Sequence, residues 1–369
     1  MKKSIFMLSF ATLFVASCSS DDNNNSNNNG GITPPVNEAI VEVELGGPNQ
    51  PNQVYIDLST SSQTVVKRDA WDLGFATGDQ FRVILNGSLQ MAVKKLETTN
   101  IDEVQAPDAS VAVGYATDAS WGYVDNPTGI LEGAGGGEGT AIAEISADDA
   151  ENKVYLVNLG NEIGTDTPDL GYVSLHGDAR GWKKIRITRN GNGYTLQYAD
   201  IDATTHQTVN IAKESNYNFT FFSFTTNSIV NVQPQKDKWD LNFSGFTNYF
   251  PFGQGYITYY YADFITTNLH GGTKAYMVLL EGQDLNEAFE TFTLDDVVEA
   301  NFTTSATDQR VIGDTWRIGG GPTSLPSVRD DRFYVIKDAA GNVYKLVFRA
   351  LTNDAGERGF PVFEYELLQ

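Results

Sequence analysis

Few side chains in this sequence carry the nitrogen or sulfur donors that suit a borderline or soft transition metal. Beyond the first eighteen residues they are the imidazoles and thioethers of His176, His206, His270, Met91 and Met277. His270 belongs to the turn Thr266-Thr267-Asn268-Leu269-His270-Gly271-Gly272, whose two glycines let a flat ligand approach the backbone. Met277 lies in the apolar run Ala275-Tyr276-Met277-Val278-Leu279, near the place of Met91 in the first half, and ligation competes there with core filling. His176, in Leu175-His176-Gly177-Asp178, reads as a polar loop residue, and His206 as a hairpin tip. The single cysteine, Cys18, can form neither an internal disulfide nor a cysteine-rich metal site.

Enzymatic chemistry finds no constellation to use. No Gly-x-Ser-x-Gly elbow occurs, and Gly133-Ala134-Gly135-Gly136-Gly137-Glu138-Gly139 lacks the Lys-Ser/Thr pair of a phosphate loop. Pro168 interrupts the acidic stretch 166–171, which makes it a poor calcium loop. Adjacent carboxylates such as Asp148-Asp149 and Asp295-Asp296 are the solvated surface of an acidic chain. With 47 Asp+Glu against 25 Lys+Arg and a net charge of −22, the surface repels a phosphate backbone. Nucleic acid is excluded as a partner, and the chain reads as a binder and not an enzyme.

Cys18 has a different role. Lys2 and Lys3 precede an apolar run over residues 5–16, shorter than the ~20 apolar residues of a membrane-spanning helix, which fits an export signal. The run ends Val15-Ala16-Ser17-Cys18 and resembles a bacterial lipobox, so residues 1–17 are expected to be a lipoprotein signal peptide and Cys18 the lipidated residue. Residues 18–35, with Ile32 the one apolar side chain after the cysteine, bury nothing that could offset ordering entropy and are predicted to be a disordered tether. Asp21-Asp22 resembles a lipoprotein surface-export signal. The expected location is the outer membrane, with lipid the only membrane contact and the body outside the cell.

A β scaffold must position everything else. The 369 residues allow one large or two ordinary domains, and 35 Gly, 17 Tyr and 21 Phe lean towards an all-β or β-dominated fold. Runs such as Val54-Tyr55-Ile56-Asp57-Leu58 and Lys184-Ile185-Arg186-Ile187-Thr188 alternate with period two, and Asn190-Gly191 marks a tight hairpin. Helical spacing is confined to short stretches at 110–116 and 285–289. The chain is written twice. Trp71-Asp72-Leu73-Gly74-Phe75 returns as Trp239-Asp240-Leu241-Asn242-Phe243, with matching strands before and after in the same order. Antiparallel units are predicted over 36–215 and 216–369.

These blocks resemble the HmuY family of haem-binding lipoproteins. So do the turn at 266–272, the closing stretch Asp331-Arg332-Phe333-Tyr334-Val335-Ile336, and Arg358-Gly359-Phe360-Pro361. The resemblance is stronger over 216–369 than over 40–212. It implies two tandem β-rich units with a cleft for haem, which is relayed to a TonB-dependent outer-membrane receptor. It also implies an axial histidine shortly after the Trp-Asp-x-x-Phe block, where this chain has Ala76 and Ser244, which cannot bind iron. The haem-ligand candidates are then His270 and Met277, with Met91 and His176 behind them. Arg310, Arg317 and Arg329 are available for the haem carboxylates. The aromatic segment 249–261 supports an alternative, a non-haem surface module that binds glycan or protein.

Overall fold

The computed structural model describes residues 34–114, 120–133, 136–252, 255–321 and 324–369. The leader, Cys18 and the tether up to Thr33 lie outside the described residues, as do 115 and 116 at the end of the first stretch expected to be helical. Residues 110–114 form no helix. The second stretch does, at Leu285–Thr291, where the Asp284 side chain accepts the Glu287 N–H at 3.0 Å as an N-cap. No helix among the described residues is long and apolar enough to cross a membrane.

The alternating runs pair into two five-stranded and two four-stranded antiparallel sheets. One body combines Ala92–Lys95, Val154–Asn158, Trp182–Asn190, Gly193–Asp200 and Gln207–Ile211 with a short sheet built on Leu73–Ala76. The other combines Lys274–Leu279, Arg332–Lys337, Val343–Thr352, Arg358–Leu367 and Glu38–Glu42 with a sheet built on Leu241–Phe252. The repeat by itself leaves open whether the halves are independent or share a sheet. The structure pairs each Trp-Asp strand with the other repeat's hairpin. Leu73 and Gly74 lie opposite Phe222 and Phe221, whereas Leu241 and Asn242 lie opposite Ile56 and Tyr55. The division expected at 215/216 separates the sequence repeats but not the sheets: residues 38–67 belong to the second body and 219–230 to the first.

Backbone hydrogen bonds make this exchange possible, because they are blind to which repeat supplies the strand. The two hairpins also share their turn geometry. Thr60 and Ser62 hydroxyls meet at 2.8 Å around Ser61 (φ 53°), and Thr226 and Ser228 meet at 2.8 Å around Asn227 (φ 51°). Burial then locks the arrangement. Val54, Ile56 and Leu58 are fully buried in a cluster with Leu241, Phe243 and Phe363, while Phe222 and Phe224 complete the core around Phe75 and Tyr194. At the crossing, the buried Arg68 guanidinium donates to the carbonyls of Gln50 (2.9 Å), Ser88 (2.7 Å) and Leu175.

The repeated Trp-Asp pair is the latch. Asp72 Oδ2 accepts the Phe224 N–H at 2.6 Å, and Asp240 Oδ2 accepts the Leu58 N–H at 3.0 Å, each across the exchange. An asparagine braces each latch from below. Asn86 Nδ2 donates to the Arg68 and Trp71 carbonyls at 2.7 and 2.8 Å, and Asn268 Nδ2 to those of Lys236 and Trp239, both at 2.8 Å. The latches differ in charge. Asp72 has Arg180 Nη2 at 2.8 Å, but Asp240 has the Thr273 hydroxyl at 3.0 Å and faces Asp57 and Asp338. Burial pushes the Asp240 carboxyl up to about 7, the two neighbouring carboxylates add to this, and the Leu58 N–H and Thr273 hydroxyl oppose it.

A group protonated in the folded chain and ionised in the unfolded one makes stability fall as pH rises from about 4 to about 7. Asp240→Asn is therefore expected to flatten the decline measured in urea melts across that window. The variant should be more stable than wild type at pH 8 by on the order of 2–4 kcal/mol. Equal slopes in both proteins would show that Asp240 stays ionised.

Candidate functional site

Between the exchanged hairpins lies a cavity with an interior of about 150 Å³. Two crossed aromatic pairs form its floor, each joining the repeats: Trp71 against Phe221 at 4.8 Å and Tyr55 against Trp239 at 5.0 Å. Gln53 ties one side together, accepting the Trp71 indole N–H at 3.1 Å and donating to the Tyr55 hydroxyl at 2.7 Å. Asn242, Ser244 and Thr266, from the second Trp-Asp strand and its partner, make one wall; residues 124–131 and the turn at 268–270 make the rim.

The fold sorts the sequence candidates. His270 stands at the rim, in the turn Leu269–Gly271 whose Asn268 cap accepts the Gly271 N–H at 2.8 Å. Part of its surface is exposed, while its ring meets Phe219 edge-on at 5.5 Å. Loss of water around the ring holds its pKa below the usual imidazole range, and a bond to the Gly129 backbone opposes this. Met91, 1% exposed, is part of the cavity wall and of the first core. Residues from opposite repeats thus bring an imidazole and a thioether to one cavity.

The other candidates lie elsewhere. Met277 is 37% exposed on Lys274–Leu279, and its sulfur accepts from Arg332 Nη1 at 3.4 Å. It does not occupy the place of Met91. Met91 follows Asn86 by five residues, and the residue five beyond the equivalent Asn268 is Thr273, the partner of Asp240. His176 lies on an exposed strand against Tyr260, ring centres 4.5 Å apart. His206 is held by Asp102 at 3.0 Å and Gln197 at 3.1 Å. In the first repeat the place of His270 belongs to Ser88, two residues after its asparagine, so the soft donor at the rim is single.

The expected carboxylate partners are absent from the wall. Arg310 is spent on Asp308 and Asn248, Arg317 pairs with Asp263, and no Lys or Arg lines the cavity among the described residues. Its one acidic side chain, Asp125, accepts the Leu85 and Ala141 N–H groups, both at 2.7 Å, and burial pushes it up to about 7. No cluster of three or more His, Cys, Asp or Glu able to hold a metal ion occurs among the described residues. In the aromatic hairpin, Phe250, Tyr256 and Tyr259 face outward, and Tyr260 turns in to donate to the Ser88 carbonyl at 2.8 Å. Sequence reading missed Gln53, Gln233 and Asn242. For Gln53 and Asn242 the available signal was a polar residue on a strand next to buried apolar ones, Val54 and Ile56 in one case and Leu241 and Phe243 in the other; Gln233 lies outside any strand and gave none.

Comparison with known proteins agrees with the internal symmetry. The sequence profile of the HmuY protein family matches residues 49–211 and again 215–365. Among solved structures the chain is similar to apo PinO from Porphyromonas gingivitis, at 12% identity and a TM-score of 0.21, over 47% of this chain and 91% of that one. It is also similar to a protein described as HmuY-like and heme-binding from Bacteroides vulgatus ATCC 8482, at 10% identity and a TM-score of 0.19, over 90% of this chain and 96% of that one. No curated protein matches. With the family profile covering nearly all of the folded body as two consecutive stretches, this chain belongs to the HmuY family and carries two tandem units of it.

Proposed function

We propose that the chain binds haem at the cavity between the exchanged hairpins and, tethered through Cys18 to the outer membrane, relays it to a TonB-dependent receptor. Family membership supports the ligand class. The observation that carries the reading is that one aromatic cavity is lined by both His270 and Met91, which come from different repeats. Loss of water around the His270 ring lowers its pKa from the usual imidazole range, which favours the form that donates to iron. The interior holds roughly one ring-sized group, comparable to a ~150 Å³ void that takes benzene. Most of a porphyrin therefore stays at the mouth. Its carboxylates remain in water, because the wall offers them no cation.

Titrating residues 36–369 with haemin should give a Soret shift that His270→Ala weakens by about tenfold or more, the loss of one axial bond. Met91→Leu keeps the volume of the wall and tests the thioether alone. The reading fails if neither oxidation state of iron gives a shift, or if the shift survives both substitutions unchanged.

A further inference from the structure

The deep wall of the cavity carries polar atoms that the haem reading leaves without a purpose. Gln233 Oε1, Trp239 Nε1, Asn242 Oδ1 and Ser244 Oγ are buried and have no hydrogen-bond partner among the described residues. All four residues line this cavity. Trp239 is 7% exposed and Ser244 5%. Buried polar groups are almost always paired, so four orphans in one lining mark a place kept for something else.

The first repeat shows the same site closed. Asn242 and Thr266 lie opposite each other where the first repeat has Gly74 opposite Ile84, and Ser244 stands where it has Ala76. A Cβ on Gly74 would come within 2.7 Å of Ile84 and 3.1 Å of Phe221, so that wall is full and apolar. The indoles differ in the same sense. Trp71 Nε1 has Gln53, and Trp239 Nε1 has nothing.

The chemistry of the orphans narrows the ligand. An indole N–H donates, a serine hydroxyl donates and accepts, and two amide oxygens accept. An anion would meet the amide oxygens with no cation to offset them. A cation would find Asp125 already holding two N–H groups. A purely apolar ring would leave all four atoms unpaired. Hydroxyl groups satisfy donors and acceptors alike, and the C–H faces of a saccharide ring suit aromatic walls. We propose that the wall formed by Gln233, Trp239, Asn242 and Ser244 is a subsite for a neutral pyranose ring. The size agrees, since the interior takes about one six-membered ring. The proposal needs no iron donor, and because the interior takes about one ring, a sugar and the inserted edge of a porphyrin would exclude each other there.

Saturation-transfer NMR of residues 36–369 with glucose, galactose, mannose and N-acetylglucosamine, each at about 10 mM, tests it at the weak affinities expected of one ring. Ring-proton signals are expected from at least one sugar. Trp239→Phe and Ser244→Ala, each removing one orphan atom, should weaken binding about tenfold. Removing an unpaired buried group costs the free protein nothing, so Ser244→Ala should melt at or above the wild-type temperature without sugar. Haemin titrations of the same two wall variants separate the readings, because neither Trp239→Phe nor Ser244→Ala removes an iron donor. The proposal is overturned if no sugar in the set gives a signal, the atoms then serving ordered water alone. It is equally overturned if both wall variants bind as wild type, or if Ser244→Ala lowers the melting temperature as loss of a structural hydrogen bond would.

Discussion

Deleting residues 36–69 is expected to leave the second body without a cooperative unfolding transition, although the deleted segment belongs in sequence to the first repeat. Val41, Val43, Leu45, Val54, Ile56 and Leu58 are all at most 5% exposed within the second core. Full burial of such side chains is worth ~1.5–3 kcal/mol each, so together they rival the roughly 5–15 kcal/mol by which a folded domain is stable. The same deletion removes the Leu58 N–H from Asp240 and the Leu58 carbonyl from the Tyr365 hydroxyl, which donates to it at 2.8 Å. Circular dichroism melts would show a broad, early loss of signal. Adding residues 36–69 back as a separate peptide should restore the transition, because strand addition does not need covalent continuity. A truncated chain that melts sharply at the wild-type temperature would show that the exchanged arm contributes no stability.

The second large effect is expected at Asp263, which is 1% exposed and has a backbone φ of 49°. Its carboxylate takes Arg358 at 2.6 Å and Arg317 at 3.4 Å, and Gln50, from the exchanged arm, donates to its other oxygen at 2.5 Å. Asp263→Ala would strand two buried guanidinium groups. Breaking a buried ion pair from one side costs about 3–5 kcal/mol, and the left-handed backbone adds strain for alanine. At ~2–4 °C per kcal/mol in a body of this size, a fall of roughly 10 °C in melting temperature is expected. Asp263→Asn separates the contributions, since asparagine accepts the left-handed φ but carries no charge. It should retain most of the loss. A small effect in both variants would mean that water reaches the arginines and solvates them.

The cavity depends on the same exchange. Its floor pairs Trp71 with Phe221 and Tyr55 with Trp239, so each half of the chain supplies one member of each pair. A half-chain has no such floor. The two repeats have also diverged where they meet: Gly74, Ala76 and Ile84 fill their side, while Asn242, Ser244 and Thr266 leave theirs open and polar. One wall is packed and apolar, and the other keeps unpaired polar atoms.

Much of this was written in the residues themselves. Period-two runs around Ile56, Ile185 and Leu196 specified strands, because alternate side chains on a strand face opposite ways whatever the neighbour. The doubled Trp-Asp block specified the repeat, and Asp72 and Asp240 turned out to do the same job in the same geometry. The turn that carries His270 was recognisable in the sequence. Which hairpin joins which Trp-Asp strand was not, since both hairpins share turn geometry and alternation, and main-chain bonding accepts either. Only the choice of burial across the whole chain selects one pairing. That choice also put Met91 beside the cavity and Met277 on the surface, and left Trp239 and Ser244 without partners, for a side chain's neighbours are set by sheets closing over it and not by its own sequence context.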